Sequence, residues 1–474
     1  MSNDAVTRRR KCLLFFRLVC LAVGFGVTSG ACAVEPDDEL VEMVVELVGD
    51  ADRDVRALGY DQIRTLAPGN QATLRFVAAL PELSPDGQIG LLSALADRGD
   101  PAAREAVLKL LEATSDSGVK IAAIETIGAL GTGSDVPLLL EFVANGTTEE
   151  KSAARASLVK CSGDEVVNSM LTELDRSSTP VRVELMRILM MRRAQEALPF
   201  LLQAVDDANQ DIRTAAMNCL SQLGGEEQIP GMVRGLLAAS SGVERQAAER
   251  ALLVVCNRVQ SADKSVEPLL EAMSTLDEAK RRELLPTLGR TGGAEALRTI
   301  EATIADDDPK LHELGIRSLC NWPNATIAPR LIQLAESDVH DAHRALALRA
   351  LIRVAPLPDG RTDRERLDLL KKVTTMSTTD EQRKLIIQRA AAIRSIEALR
   401  FVVPYLQQSA FAQQACASTV ELAHHRALRE PNKAEFDEAL DQVLKISQDP
   451  IVLDRATRYK NGQTWNRPRS DESR

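Results

Sequence analysis

Aromatic residues make up only 3% of this 474-residue chain, with three Tyr, two Trp and nine Phe. A core so poor in rings must be filled by aliphatic side chains, and the abundant Ala and Leu suit close helix packing. Histidine is also scarce, at five, which confines imidazole chemistry to a few places. No Cys-x-x-Cys pair occurs, so the spacing used for zinc or dithiol redox work is missing. There is no Gly-rich phosphate loop and no Gly-x-Ser-x-Gly. The charge carries no basic excess: the chain stands at −10. Such an acidic surface repels nucleic acid, whose binding depends on phosphate neutralisation.

What is present in abundance is repetition. The stretch Asp206 to Leu236 sets the pattern, with apolar or small residues at Ile212, Ala215, Ala216, Cys219, Leu220 and Leu223. Steps of three and four place these on one stripe of a helix. Asn209 and Asp211 stand where short acceptors cap a first turn. Gly224-Gly225 predicts a stop through a left-handed residue, and Pro230 lies near the start of a second helical run. With Ile212 as phase zero, equivalent positions fall at Val55, Gly87, Val119, Glu150, Val181 and Val243, in steps of 31 or 32 residues. A looser phase continues through Asp277, Leu311, His343, Gln382 and Phe411. The residue after phase zero is basic in seven of these twelve copies. Such a period predicts an all-α fold, a right-handed α-solenoid (superhelix) of about twelve helix-turn-helix repeats.

Val-Arg followed by small residues, then Leu-Gly and an acidic or proline-containing link, resembles the HEAT repeat. The best matches are VKIAAIETIGALGTGSDVPLLLEFV (119–143) and DIRTAAMNCLSQLGG (211–225), with ALADRGDPAAREAVLKLLEA (94–113) matching the second half. The short period is similar to the HEAT-like subtype of phycobilin lyases. The resemblance covers residues 36 to 425 and speaks to fold far more than to function.

Along the chain, residues 1–33 read as a signal peptide. Arg8 to Lys11 give a basic start, Leu18 to Val27 is an uncharged apolar run, and Ala31-Cys32-Ala33 offers a cleavage site after Ala33. A run of ten is too short to cross a bilayer as a helix. A retained anchor and a lipoprotein acylated at Cys32 are the alternatives. The segment holds five basic residues and one acid, so its loss takes the net charge from −10 to −14. The remaining cysteines, 161, 219, 256, 320 and 416, are dozens of residues apart on helical runs. They read as buried apolar side chains. The expected organisation is a HEAT-repeat solenoid over 34–355, then further helical pairs and a capping helix over 356–446. A polar, disordered tail follows over 447–474, with Tyr459 to Trp465 exposed for docking. The break at Pro356 to Gly360 reads as a loop insertion or mild hinge.

Two constellations carry candidate chemistry. His312, His340 and His343 lie near the starts of consecutive first helices, beside Glu313, Asp338 and Asp341. They are the weak candidates for a single-metal site, and no metal or cofactor is otherwise expected. HEAT-like deoxyhypusine hydroxylases hold two irons through several His-Glu pairs; only His312-Glu313 is present here, so that site lacks its ligands. A phycobilin cradle would call for aromatic and arginine residues, whereas Trp322 reads as core. Asn145-Gly-Thr147 and Asn324-Ala-Thr326 are glycosylation sequons. The second constellation is basic: Arg317, Arg349, Arg353 and Arg389, with Arg394 close by, on first-run helices of neighbouring repeats. Against an acidic background this strip predicts contact with an anionic partner, unless its members pair with acids of adjacent repeats.

The functional expectation is a non-enzymatic, exported scaffold, periplasmic or extracellular. It would bind another protein, or an anionic polysaccharide, on the concave face of the solenoid. Neither nucleic acid nor a stable membrane span is expected once the signal is removed. The competing expectation is a cofactor- or metal-binding HEAT-like enzyme related to the lyases or hydroxylases.

Overall fold

The computed structural model describes residues 38–65, 69–240, 242–258, 262–376 and 379–465. The proposed signal peptide lies outside them. Among the described residues every regular element is a helix, and the chain is an all-α helical-repeat solenoid. By internal contacts it divides into two compact units. One runs up to Gly224 and takes in Ala238–Ala248; the other comprises Gly225–Leu237 and everything from Glu249 onward. The division does not fall at the Pro356 to Gly360 break. That loop is tied down: Arg361 pairs with Asp359 at 2.8 Å and donates to the carbonyl of Ala355 at 3.0 Å.

Helix boundaries follow short-range chemistry. Asn209 accepts from the backbone N–H of Asp211 and opens the helix Gln210–Leu223. Asp116 does the same for Ser117–Leu130 through Val119 N–H. The glycine stop works differently from the expectation. Gly224 has φ −74° and ψ 158°, an extended rather than a left-handed conformation. Gly131, its counterpart three repeats earlier, shares φ −74°, and a Cβ there would sit 2.5 Å from the carbonyl oxygen of Ile127. Glycine is therefore demanded by close approach to the helix it ends, not by a positive φ.

Packing explains the rest of the repeat. Eight residues after phase zero, Ile63, Leu95, Ile127, Leu158, Leu189, Leu220, Leu285, Leu319 and Leu351 are all buried. At Gly59 and Gly315, four residues after it, the first helix meets the end of the preceding second helix closely enough to leave a side chain no room. A Cβ at Gly315 would lie 2.7 Å from Ile304 Cγ1. The recurrent basic residue is equally structural. Arg56, Arg213 and Arg344 fold back on the carbonyls of Asp50, Asp207 and Asp338 at 2.8–3.0 Å. They thereby satisfy acceptors left open at the end of the preceding second helix.

The C-terminal region departs from expectation. Pro450–Lys460 is a helix, capped by Asp449 through Ile451 N–H, where a disordered tail was predicted. Its Val452, Ala456 and Tyr459 are buried against the helices Ala412–His424 and Lys433–Ile446. Tyr459, expected in an exposed docking segment, is 2% exposed. Its hydroxyl lies 2.8 Å from His424 Nδ1, and Arg429 stacks 5.2 Å from its ring centre. A stripe of only three residues in a polar segment gives little periodic signal, although one of the three is a large buried ring.

Candidate functional site

The second unit presents a row of first helices: Glu278–Thr291, Pro309–Leu319, Asp341–Val354 and Asp380–Ala390. Each turns its apolar stripe inward, which leaves polar positions such as 317, 349 and 389 outside. Arg317 pairs with Glu313 one turn earlier in its own helix, an exposed contact. Arg349 and Arg389 are exposed, and their side chains make no ion pair or hydrogen bond among the described residues.

Arg353 corrects the sequence reading of a free basic strip. Its guanidinium donates to the carbonyls of Trp322 at 2.6 Å and Cys320 at 3.0 Å, at the end of the preceding first helix. Burial holds its pKa below the usual arginine range, and the like charges of Arg389 and Arg290 act in the same direction. The same device recurs in the first unit, where Arg192 donates to Leu158, Val159 and Cys161 carbonyls at 2.7–2.8 Å. An arginine near the last turn of a first helix thus closes the helix of the preceding repeat. A basic residue ten or eleven positions after phase zero is the signal that could have shown this.

The histidines also rearrange relative to expectation. His340 is exposed and is not one of the converging donors. Those are His312, His343 and Asp338, a residue noted in the sequence only as a neighbour. Trp322 is buried as expected, with Nε1 donating to Thr326 Oγ1 at 3.1 Å. Of the two sequons, Asn145 is exposed at the end of its helix, whereas Asn324 is engaged as a cap acceptor for Thr326 N–H.

One feature had no counterpart in the sequence reading. In the first unit a cleft of about 610 Å³ opens over three successive first helices, lined by Lys151, Arg155, Glu184, Arg187, Asp211 and Asn218. Arg155 and Arg187 both pair with Glu184, at 3.2 and 2.7 Å, so the two guanidinium groups share one carboxylate. All five cysteines of the described residues are free and buried. Burial raises their pKa, to about 11 for Cys161, Cys320 and Cys416 and about 12 for Cys219 and Cys256. They are not poised nucleophiles.

Residues 73–159 and 167–253 match the HEAT-repeat family. Among curated proteins none matches the chain. Solved structures with similarity include the karyopherin Kap121p bound to the extreme C-terminus of the protein phosphatase Cdc14p. It is 13% identical, with 86% of this chain and 54% of that chain covered and a TM-score of 0.44. Kap121p bound to the SUMO protease Ulp1p gives 13% identity, 86% and 53% coverage and a TM-score of 0.45. The complex of CpcE and CpcF of phycocyanin lyase from Nostoc sp. PCC7120 gives 14% identity, 53% and 98% coverage and a TM-score of 0.25. The chain spans about half the length of the karyopherin it matches.

Proposed function

We propose that this HEAT-repeat protein is a non-catalytic scaffold that binds a protein partner through the outward face of first helices in its second unit. The observation that carries this reading is the pair Arg349 and Arg389. Both are exposed and without ion-pair partners among the described residues, on a chain whose net charge is −10. Arg353 stands near Arg389 with its charge held in place by backbone carbonyls. Fixed and free guanidinium groups side by side favour an acidic segment of a partner, since carboxylates accept paired N–H donors. Among the described residues no helix is long and apolar enough to cross a membrane. The basic and apolar character of residues 1–33 supports work outside the cytoplasm.

The test uses the full chain as bait against the extracytoplasmic fraction of its own cells. Retention of a protein by the native chain, lost with the double change Arg349→Glu and Arg389→Glu, is the expected result. Retention unaffected by that change would overturn the assignment of the surface. Recovery of a polysaccharide alone would overturn the protein partner. Recovery of the mature chain beginning at Val34 would support export, and a chain found only in the cytoplasm with Met1 intact would refute it.

A further inference from the structure

In the second unit, two histidines occupy repeat positions that other repeats fill differently. His312 follows phase zero, the place of Arg56, Arg213 and Arg344. Like those arginines it closes the preceding second helix, with Nδ1 2.6 Å from the carbonyl oxygen of Ile304. A carbonyl can only accept, so Nδ1 carries the proton and Nε2 keeps its lone pair. His343 sits at phase zero itself, where other repeats place Val119, Val181 and Ile212. Its side chain is 9% exposed, an unusual place for an imidazole with nothing but packing to do.

Asp338 is by contrast an ordinary member of the repeat. Its Oδ1 accepts from His340 N–H at 2.8 Å, as Asp207 does from Asn209 N–H and Asp306 from Asp308 N–H at the same distance. The repeat thus supplies a fixed carboxylate at this turn, and here alone among those three do two imidazoles turn toward it. His343 Nδ1 lies 3.3 Å from Asp338 Oδ1, and the rings of His312 and His343 are 5.6 Å apart between centres. Donor atoms of His312, Asp338 and His343 all lie within 4.8 Å of one another.

We propose that His312, Asp338 and His343 form a binding site for a single Zn²⁺. Metal–ligand bonds of about 2.0–2.2 Å imply ligand atoms about 3.3 Å apart in a tetrahedral site. The His343–Asp338 contact already has that separation, and modest side-chain rotation brings in the third donor. Two imidazoles and one carboxylate make a borderline nitrogen–oxygen set that suits Zn²⁺ over Mg²⁺ or Ca²⁺. The Ile304 carbonyl on His312 Nδ1 is the outer partner that metal-bound histidines generally have, fixing ring and tautomer. The fourth position opens toward exposed His340, whose Nδ1 is 3.5 Å from Asp338 Oδ1. The ion would bridge the turns that open two successive repeats.

The repeat itself provides controls that should fold. His343→Val installs the phase-zero residue of other repeats, and His312→Arg installs their capping residue. Titration calorimetry of the chelator-stripped full chain with Zn²⁺ should give one ion per chain, with affinity reduced about 100-fold or more in either variant. Zn²⁺ should raise the thermal midpoint of the native chain and leave both variants unmoved. Asp338→Asn keeps the acceptor for His340 N–H and removes the anionic ligand, so it decides the matter if a histidine variant misfolds. Its Zn²⁺ affinity should also fall at least about tenfold. Native-like Zn²⁺ binding in the folded variants, or no stoichiometric binding by the native chain, would overturn the site.

Discussion

Arg213 and Glu244, 31 residues apart, meet in a buried ion pair with two hydrogen bonds, Nε to Oε1 at 2.8 Å and Nη2 to Oε2 at 3.0 Å. Each is the residue after phase zero in its own repeat, so the pair joins equivalent points of successive repeats. Arg213 also donates to the carbonyls of Asp207 and Ala208, and Glu244 accepts from Ser240 N–H and hydroxyl. Neither charge is left short of partners, the condition under which a buried pair is tolerated.

Removing one member should therefore be worse than removing both. Glu244→Ala leaves a buried guanidinium without its counter-charge and should cost about 3–5 kcal/mol. The double change Arg213→Met and Glu244→Leu should recover most of that loss. Denaturant unfolding of the native chain and these two variants checks it; equal losses in the single and double variants would show that the pair acts only through packing.

The same pair should shape the acid limb of stability. Burial would raise the carboxyl pKa of Glu244, but the Arg213 and Ser240 hydrogen bonds outweigh it and hold it below the usual range. A depressed folded-state value means the contribution is complete above the unfolded pKa of about 4.3 and fades as pH falls through the folded value. The stability gap between native chain and Glu244→Gln should be constant near neutrality and narrow below about pH 4. Unfolding midpoints measured across that range test the sign.

Arg353 and Arg349, one helical turn apart, should separate structure from binding. Arg353→Ala strips two backbone acceptors of their donor and should lower stability by about 1–3 kcal/mol. Arg349→Glu changes an exposed, unpaired side chain and should shift stability by less than about 0.5 kcal/mol. Thermal melts read the difference directly. A large loss on Arg349→Glu would place that residue in the framework instead of on a contact surface.

Thiol chemistry should report folding. With pKa values raised to about 11 or 12 by burial, Cys161, Cys219, Cys256, Cys320 and Cys416 should resist alkylation at neutral pH in the native chain. All five should react once the chain is unfolded. Peptide mapping after a pulse of iodoacetamide distinguishes them; fast labelling of Cys219 in native conditions would mean that its repeat opens locally.

Periodicity alone determined that this chain is an array of helix pairs, because a spacing of 31 to 34 residues repeats the same inward stripe from Ile63 to Leu351. It also pointed to burial of the five cysteines and Trp322, although Cys161, Cys320 and Trp322 lie just past helix ends. Distances across repeats were beyond it. Whether an arginine is free like Arg349 or spent like Arg353 depends on carbonyls some 31–33 residues away, and four positions along one helix reverse the answer. Sequence proximity put His340 with His343, while folding set His312 and Asp338 around His343, since a turn fixed by Asp338 faces the preceding repeat. The helix Pro450–Lys460 was hidden for a related reason: its three anchoring residues gain their worth from surfaces the rest of the chain builds. Local patterns encode which face points inward; only packing decides which side chains meet there.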